Sequence, residues 1–158
     1  MLRTLVIVRH AMPENTSASG SDHVRKLTDL GITQAKQAAS FIAELNLKNI
    51  KLLTSDASRA LETAEAVAVA INSDIHSTGR LYTSSPRQII EEVSRVDPSK
   101  SSIVIVGHNP TFSELTSELS SEMHRLTQGQ CMVLTCELDD WALVNMVNWH
   151  IQNIFIPS

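Results

Sequence analysis

The sequence predicts an α/β protein with three layers, in which helices cover both faces of a mostly parallel central sheet. Two short runs rich in β-branched residues, 5–8 and 103–106, contain no charge and are typical of strands buried on both faces. Segments with apolar residues at helical spacing lie between these runs, so strands and helices alternate along the chain. Because 158 residues fit one domain, we expect a single domain over residues 1–158.

The first half of the chain contains two predicted strands and two predicted helices. The strand at 5–8 is followed by a loop rich in Pro, Gly, Ser and Asn, which extends to residue 28. A helix over 29–45 follows Thr28, a residue type that commonly caps helices. A second strand over 50–54 leads into an alanine-rich helix over 58–71.

The second half is predicted to alternate in the same way and to end in a pair of strands. Pro86 suits the first turn of a third helix. The last two strands are expected to form a hairpin across Asp139-Asp140. The predicted elements, in chain order, are a strand over 75–78, a helix over 86–96, a strand over 103–106, a helix that ends near 119, and strands over 130–137 and 143–149.

Composition excludes several classes of protein. The net charge of −4 makes the chain a poor non-specific nucleic-acid binder, and no apolar run approaches the about 18 residues of a membrane span. We therefore expect no nucleic-acid or membrane partner. Cys131 and Cys136 would face opposite sides of one strand, so a disulfide framework is not expected. Together with the lack of a targeting segment, this favours the cytoplasm.

Arginines and histidines follow the strands at one edge of the predicted sheet. Arg9 and His10 follow the first strand, Arg59 lies in the first turn of the helix after the second strand, and His108 follows the strand at 103–106. Ligands of such sheets bind past the carboxyl ends of the strands. The guanidinium fork matches phosphate oxygens, and a helix N-terminus favours anions. The pattern predicts a phosphate pocket that contains a reactive imidazole.

Four motifs, in the same order, resemble those of the histidine phosphatase superfamily, which has the phosphoglycerate mutase-like fold. The short chain and the segment Asp22-His23-Val24-Arg25 are similar to the SixA-type phosphohistidine phosphatase branch of that family. The four motifs are Arg9-His10-Ala11, Leu27-Thr28 to Gly31 with Gln34-Ala35, Ser55 to Ala64 around Arg59, and Gly107-His108-Asn109-Pro110.

The resemblance implies a mechanism. His10 would attack phosphorus and become phosphohistidine, and water would then release phosphate. Arg9, Arg59 and His108 would bind the phosphoryl oxygens. Arg25 has two open interpretations, as a loop arginine that reaches phosphate or an acidic substrate surface and as a solvated charge. The resemblance implies no metal and no cofactor, and the sequence contains neither HExxH nor CxxC.

The general acid of the family has no clear counterpart. The segment 79–85 contains no carboxylate, and Asn109 stands where another branch has Asp. Protonation of a leaving alkoxide is worth about 10²–10⁴-fold in rate, whereas a histidine ring is a far weaker base, with a pKa of about 6.5. The missing acid therefore favours cleavage of a P–N bond. Glu14, Asp22 and Glu62 remain possible acids, although Asp22 is expected to orient Arg25 and Glu62 to face solvent. Tyr82 is expected to serve in packing.

The sequence thus predicts a phosphohistidine phosphatase that acts on a phosphorelay or phosphotransfer protein and releases inorganic phosphate. One alternative is a phosphatase for small phosphate esters within the same superfamily. Another is a phosphate-binding module without turnover, although binding alone would not require a nucleophilic His10. The leaving-group dependence of the rate separates these hypotheses.

Overall fold

A six-stranded mixed sheet forms the centre of the protein. The computed structural model describes residues 1–82 and 84–158. The strands are β1 (Leu2–Arg9), β2 (Ile50–Ser55), β3 (His76–Thr78), β4 (Ser102–Gly107), β5 (Cys131–Glu137) and β6 (His150–Phe155). They lie in the order β3-β2-β4-β1-β5-β6. The first four strands of the chain are parallel to one another, and β5 pairs antiparallel with both β1 and β6. The predicted α/β class and central sheet are confirmed.

Four helices cover the sheet, two on each face. They are α1 (Asp29–Glu44), α2 (Ser58–Ile71), α3 (Pro86–Ser94) and α4 (Thr111–Ser120). Alternate residues of β1 and β4 enter different cores, because successive side chains of a strand point to opposite faces. The core under α1 and α2 receives Val6, Val8, Val104 and Val106. The core under α3 and α4 receives Leu5, Ile7, Ile103 and Ile105.

The local signals for the helices predict their positions well. The side chain of Thr28 accepts a hydrogen bond from the backbone N–H of Gly31 at 2.9 Å, so Thr28 caps α1 as expected. Pro86 occupies the first turn of α3, and Ser85 forms a reciprocal cap with Gln88. Among the described residues, none of the helices is both long and apolar enough to cross a membrane.

The predicted strand at 143–149 is wrong. This segment contains turns, and the last strand is β6, which follows it and pairs with β5. The connection between β5 and β6 therefore spans residues 138–149 rather than a tight hairpin across Asp139-Asp140. Trp141 and Trp149 are 0% and 1% exposed and stack with ring centroids 6.0 Å apart. The apolar residues that suggested a strand cover one face of the core instead.

The two cysteines lie on β5 and are free thiols, as their spacing predicts. Cys131 belongs to the core under α1 and α2, whereas Cys136 packs against the core on the opposite face. Burial raises the pKa of the Cys131 thiol, so this side chain is a neutral packing residue.

Candidate active site

All five residues that the sequence singled out line one cavity of about 510 Å³ at the carboxyl ends of β1, β2 and β4. They are Arg9, His10, Arg25, Arg59 and His108. The ring centroids of His10 and His108 are 5.0 Å apart. The position agrees with the rule that parallel sheets bind ligands at this edge. The remaining lining comes from Met12, Pro13, Glu14, Asn15, Thr28, Asn109 and Gln128.

Backbone bonds at the end of β1 fix the position of His10. The register pairs Arg9 with Gly107, and the next backbone N–H, that of His10, donates to the carbonyl of Gly107 at 2.9 Å. Gly107 must be glycine here, because a Cβ atom would lie 2.5 Å from the ring of Phe112. The glycine of the Gly-His-Asn-Pro motif therefore lets α4 pack closely against the strand that carries His108.

The loop after His10 is held by α2 through Thr63. The backbone N–H of Ala11 donates to the Thr63 hydroxyl oxygen at 3.1 Å, and that hydroxyl donates to the carbonyl of Arg59 at 2.8 Å. Thr63 is fully buried. One threonine therefore joins the turn after the histidine to the backbone of the arginine that lines the same cavity.

The motif at the start of α1 holds the next residue of this loop. The backbone N–H of Met12 donates to the side-chain oxygen of Gln34 at 2.9 Å, and its carbonyl accepts a bond from the backbone N–H of Thr28 at 3.0 Å. A Cβ atom on Gly31 would lie 2.1 Å from the Met12 carbonyl oxygen. The Leu-Thr-x-x-Gly pattern thus positions the cavity wall and does not itself contribute reactive groups.

His10 is buried as a neutral ring with a defined orientation. It is 5% exposed, and its Nδ1 lies 2.7 Å from the carbonyl oxygen of Ala11. Because a carbonyl only accepts, Nδ1 carries the proton and Nε2 keeps its lone pair. Burial lowers the pKa of His10 to about 3, and the positive charges of Arg59 and Arg9 act in the same direction. His10 therefore has the electronic state of a nucleophile at neutral pH.

His108 is also held neutral. Its Nε2 lies 2.8 Å from the hydroxyl oxygen of Ser55, and that oxygen accepts a bond from the backbone N–H of Ala57 at 3.1 Å. Burial lowers the pKa of His108 to about 4, followed in importance by the charge of Arg59. The Nδ1 atom is buried and has no hydrogen-bond partner among the described residues. This nitrogen is available to a bound group.

Arg9 and Arg59, two of the three arginines of the cavity, keep unused donors. Arg9 donates from Nη1 to the carbonyl of Leu126 at 3.1 Å, and Arg59 donates from Nη1 to the carbonyl of Asp22 at 2.9 Å. In each of the two residues, Nε is buried without a partner among the described residues. Burying an unsatisfied donor costs about 1–3 kcal/mol. Donors held in this way beside a cavity indicate a site for an anion.

Asp22 joins two parts of the rim of the cavity, and of its contacts the one with Arg25 agrees with expectation, whereas those with Tyr82 and Arg59 were not expected. Its carboxylate accepts bonds from the Tyr82 hydroxyl at 2.6 Å, from Arg25 Nε at 2.9 Å and from Arg59 Nη2 at 3.1 Å. These bonds, that of Tyr82 first, hold the pKa of Asp22 well below its usual range. Asp22 is therefore ionised at neutral pH and has no proton to donate.

Two side-chain roles, those of Tyr82 and Glu62, differ from expectation, and the structure decides against one of the two open interpretations of Arg25. Tyr82 was expected in packing, but it contacts Asp22 and its ring lies edge-on to His108, with centroids 5.5 Å apart. Glu62 was expected to face solvent, but it accepts a bond from the backbone N–H of Leu27. Arg25 lines the cavity and is bound to Asp22 and to the carbonyl of Glu14 rather than being solvated. Tyr82 follows a predicted strand, so its position at a strand end was the available signal.

The described residues contain no group of three or more His, Cys, Asp or Glu side chains arranged to hold a metal ion. The positive charge in the cavity comes from its arginines.

Comparison with known proteins identifies the family. The model of the histidine phosphatase superfamily, branch 1, matches residues 5–82, which contain three of the four motifs. The chain belongs to the histidine phosphatase superfamily. An uncharacterized protein of Mycobacterium tuberculosis is 34% identical over 102 residues, which are 64% of this chain and 63% of that relative.

Solved structures of this superfamily share the fold over the whole chain. A SixA structure from Nakamurella multipartitia, whose title assigns it to the phosphohistidine phosphatases, is 25% identical with a TM-score of 0.88, over 99% of this chain and 97% of that one. The protein histidine phosphatase SixA complexed with tungstate is 20% identical with a TM-score of 0.79, over 96% and 95% of the two chains, and shows the common fold. The comparisons support the SixA-type branch of the superfamily and a phosphatase, that is, a hydrolase.

Proposed function

We propose that this histidine phosphatase hydrolyses phosphohistidine on a protein, through a covalent phosphohistidine intermediate on His10. The observation that carries the proposal is the state of His10. Its Nδ1 proton is bound to the Ala11 carbonyl, and the ring lines a cavity with Arg9 and Arg59. A neutral imidazole with one nitrogen tied and the other unprotonated is the form that attacks phosphorus.

In the first step, Nε2 of His10 forms a bond to phosphorus as the bond between phosphorus and the substrate histidine breaks. The electron pair of that bond leaves with the substrate imidazole. The unpartnered donors of Arg9 and Arg59, together with His108, bind the equatorial oxygens, on which the charge of the transition state lies. The substrate leaves and the phosphoryl group stays on His10.

In the second step, water attacks the phosphorus of phospho-His10. The P–N bond breaks, its electron pair returns to Nε2, and inorganic phosphate leaves with the oxygen of the water. The proton of that water passes to phosphate or solvent, so His10 returns to its neutral form. The low pKa of His10, about 3, means that the free enzyme is ready for another cycle at any pH near neutrality.

The leaving group decides between P–N and P–O substrates. Asp22 is held ionised by Tyr82, Arg25 and Arg59, and Asn109 is an amide whose nitrogen donates to the Leu126 carbonyl at 2.8 Å. Neither supplies a proton to a departing group. A histidine ring takes a proton on its second nitrogen near neutral pH and then leaves as a neutral molecule. An alkoxide has no such route and loses about 10²–10⁴-fold without an acid.

A second candidate function is hydrolysis of small phosphate esters. Glu14 lines the cavity and is the carboxylic acid side chain there that could protonate a leaving alkoxide. This function predicts a rate that depends little on the basicity of the leaving group and a bell-shaped pH profile.

Single-turnover phosphate release separates the two functions. The substrates are a histidine phosphotransfer domain phosphorylated with phosphoramidate, a phosphotyrosine peptide and a phosphoserine peptide. We expect fast release from the phosphorylated domain, slow release from phosphotyrosine, whose leaving group has a pKa of about 10, and slower release from phosphoserine. His10→Ala should abolish release, and His76→Ala, an exposed position outside the cavity, should leave it unchanged. Equal or faster release from phosphoserine would establish the second function instead.

A further inference from the structure

A second groove begins where the catalytic cavity ends. It has a volume of about 1060 Å³ and a mainly apolar wall, and it shares Arg9 and Asn109 with the catalytic cavity. We call it the α4 groove. Its lining includes Pro110, Ser113 and Ser117 on the α4 side and Met123 and Leu126 on the following segment.

Met123 projects from this groove into solvent. It is 95% exposed, so almost the whole side chain is accessible to a partner that lies along the groove. The position is not a frayed end, because hydrogen bonds fix the segment on both sides. Before Met123, the backbone N–H of Glu122 donates to the Ser120 hydroxyl at 3.2 Å, and after it the backbone N–H of His124 donates to the Ser117 hydroxyl at 2.9 Å.

The α4 groove and the catalytic arginine are also linked. The carbonyl of Leu126 accepts bonds from Arg9 Nη1 at 3.1 Å and from Asn109 Nδ2 at 2.8 Å. The groove wall and the phosphate cavity thus share a rigid boundary. A surface that is already formed binds with a smaller loss of conformational freedom than one that must be ordered on binding.

The remaining rim of the cavity has a different character. On the side of Asp22, Arg25 and Tyr82, the side chains are charged or polar and bind to each other. The exposed surface of the α4 groove is mainly apolar, although Glu114, His124 and Arg125 also line it, and its volume slightly exceeds the range of about 300–1,000 Å³ that small-molecule sites occupy. A small phosphate ester would fill the cavity and leave the groove empty.

We propose that the α4 groove docks the polypeptide segment that flanks the phosphohistidine of the protein substrate, and that Met123 is a specificity-determining contact. The inference rests on the proposed function. A phosphohistidine whose phosphoryl group lies in the cavity brings its own chain to the rim, and the groove continues from that point past Arg9 and Asn109. The expected segment has apolar side chains next to its phosphohistidine, as on one face of a helix. The flexible side chain of methionine packs against varied apolar surfaces.

The test compares a protein substrate with a small one. The variants are Met123→Glu and Met123→Ala, and the matched control is Met146→Glu. Met146 is also exposed, at 75%, and lies on the connection between β5 and β6, outside the α4 groove. The substrates are the phosphorylated phosphotransfer domain and free phosphohistidine, and kcat and KM are measured for both.

We expect Met123→Glu to raise KM for the phosphorylated domain by about tenfold and Met123→Ala by a few-fold, the range of a well-placed interface contact. Neither should change kcat on the domain or kcat/KM on free phosphohistidine, because the lost contact binds ground state and transition state equally. Met146→Glu should match the wild type on both substrates.

Two results would overturn the inference: an unchanged KM for the domain in both Met123 variants, or an equal loss on the domain and on free phosphohistidine. Gel filtration of the same variants tests whether a second copy of this chain occupies the groove instead. If Met123→Glu breaks up a dimer and leaves KM for the domain unchanged, the groove is a contact between copies of this chain. Failure of the proposed function is seen separately, as lack of turnover of both the phosphorylated domain and free phosphohistidine by the wild type.

Discussion

Strand β1 carries an arginine near each end, and the two have different roles. Arg3 is 1% exposed, and each of its nitrogens has a partner. Its Nε donates to the carbonyl of Leu138 at 2.9 Å, and its guanidinium lies 5.4 Å from the ring centroid of Trp141. The other acceptors are the carbonyls of Pro98 at 2.6 Å, Lys100 at 2.7 Å and Asp139 at 2.5 Å. Arg3 therefore joins the strand to two loops, and none of its nitrogens is left without a partner for a ligand.

Arg9, at the carboxyl end, is bound less completely. It has one hydrogen bond from its guanidinium, to Leu126, and its Nε is buried without a partner among the described residues. Arg59 also has a buried Nε without a partner among the described residues, although both of its Nη atoms donate to Asp22. A protein does not retain unsatisfied buried donors without compensation, because each costs stability. From this comparison we infer that an arginine whose nitrogens all have partners within the fold is structural. An arginine with reserved donors, that is, buried N–H groups without a partner, is expected to bind a ligand.

The largest effect that we expect is a loss of activity when Arg9 or Arg59, the arginines with unpartnered donors, is replaced. Arg9→Met and Arg59→Met should lower kcat on the phosphorylated phosphotransfer domain by about 10²–10³-fold, because each removes charge stabilisation from the transition state. The free energy of unfolding, measured with urea, should change little or rise. A loss of activity that only follows a loss of folded protein would contradict the assignment.

The opposite result is expected for Arg3→Met. The free energy of unfolding should fall by about 3 kcal/mol, because four carbonyls lose a charged donor in a buried place. The value of kcat per folded molecule should stay that of the wild type. If Arg3→Met were as inactive as Arg9→Met while still folded, the distinction between the two ends of β1 would fail.

Acid should destabilise the protein through its two buried histidines. Their pKa values, about 3 for His10 and about 4 for His108, lie below the value of about 6.5 in the unfolded chain. The unfolded state therefore binds more protons below pH 6.5. This stability is complete above that pH and is lost as the pH falls toward the folded values, at about 1.4 kcal/mol per pH unit for each ring.

Urea unfolding at pH 7.5 and pH 5 measures this loss, and His10→Gln is the matched comparison. The variant should lose less stability between the two pH values than the wild type, by about 2 kcal/mol over the 1.5 units below the unfolded pKa. Imidazole NMR of the wild type should show no titration of His10 or His108 near pH 6.5. An identical pH dependence in variant and wild type would show that His10 is not held neutral by the fold.

The smallest expected effect concerns the support of the site. Thr63→Val keeps the shape of the side chain but leaves the backbone N–H of Ala11 without its acceptor. We expect a loss of about 1–2 kcal/mol in stability and about tenfold in kcat, with KM unchanged, because the turn after His10 loses its anchor. Thr63→Ser should restore kcat. Failure of serine to restore it would assign the effect to packing alone.

The sequence predicts the positions of the candidate site residues better than it predicts the last strand of the fold. Arg9, His10 and His108 are local to strand ends, so the alternation of strands and helices brings them to one edge. The contact of Asp22 with Tyr82 and Arg59 joins segments far apart in the chain, and local patterns carry no signal for it.

The error at 143–149 has a similar cause. Trp141, Val144 and Trp149 are apolar because they cover a core, and a covering segment and a strand look alike when only the apolar residues are read. The true strand β6 is largely exposed, so it lacks the buried pattern that revealed β1 and β4. Arg3 shows the same limit, since its acceptors come from loops distant in sequence.

The most direct test of the account is to trap the phosphoryl group on the enzyme. The protein is mixed rapidly with the phosphorylated phosphotransfer domain and quenched in alkali, where phosphohistidine survives, and the digest is analysed by mass spectrometry. The account predicts one phosphoryl group on His10 and none on His108, formed at the wild-type rate in Arg3→Met and far more slowly in Arg9→Met. Phosphate release without any phosphoryl group on His10, or release that persists in His10→Ala, would contradict it.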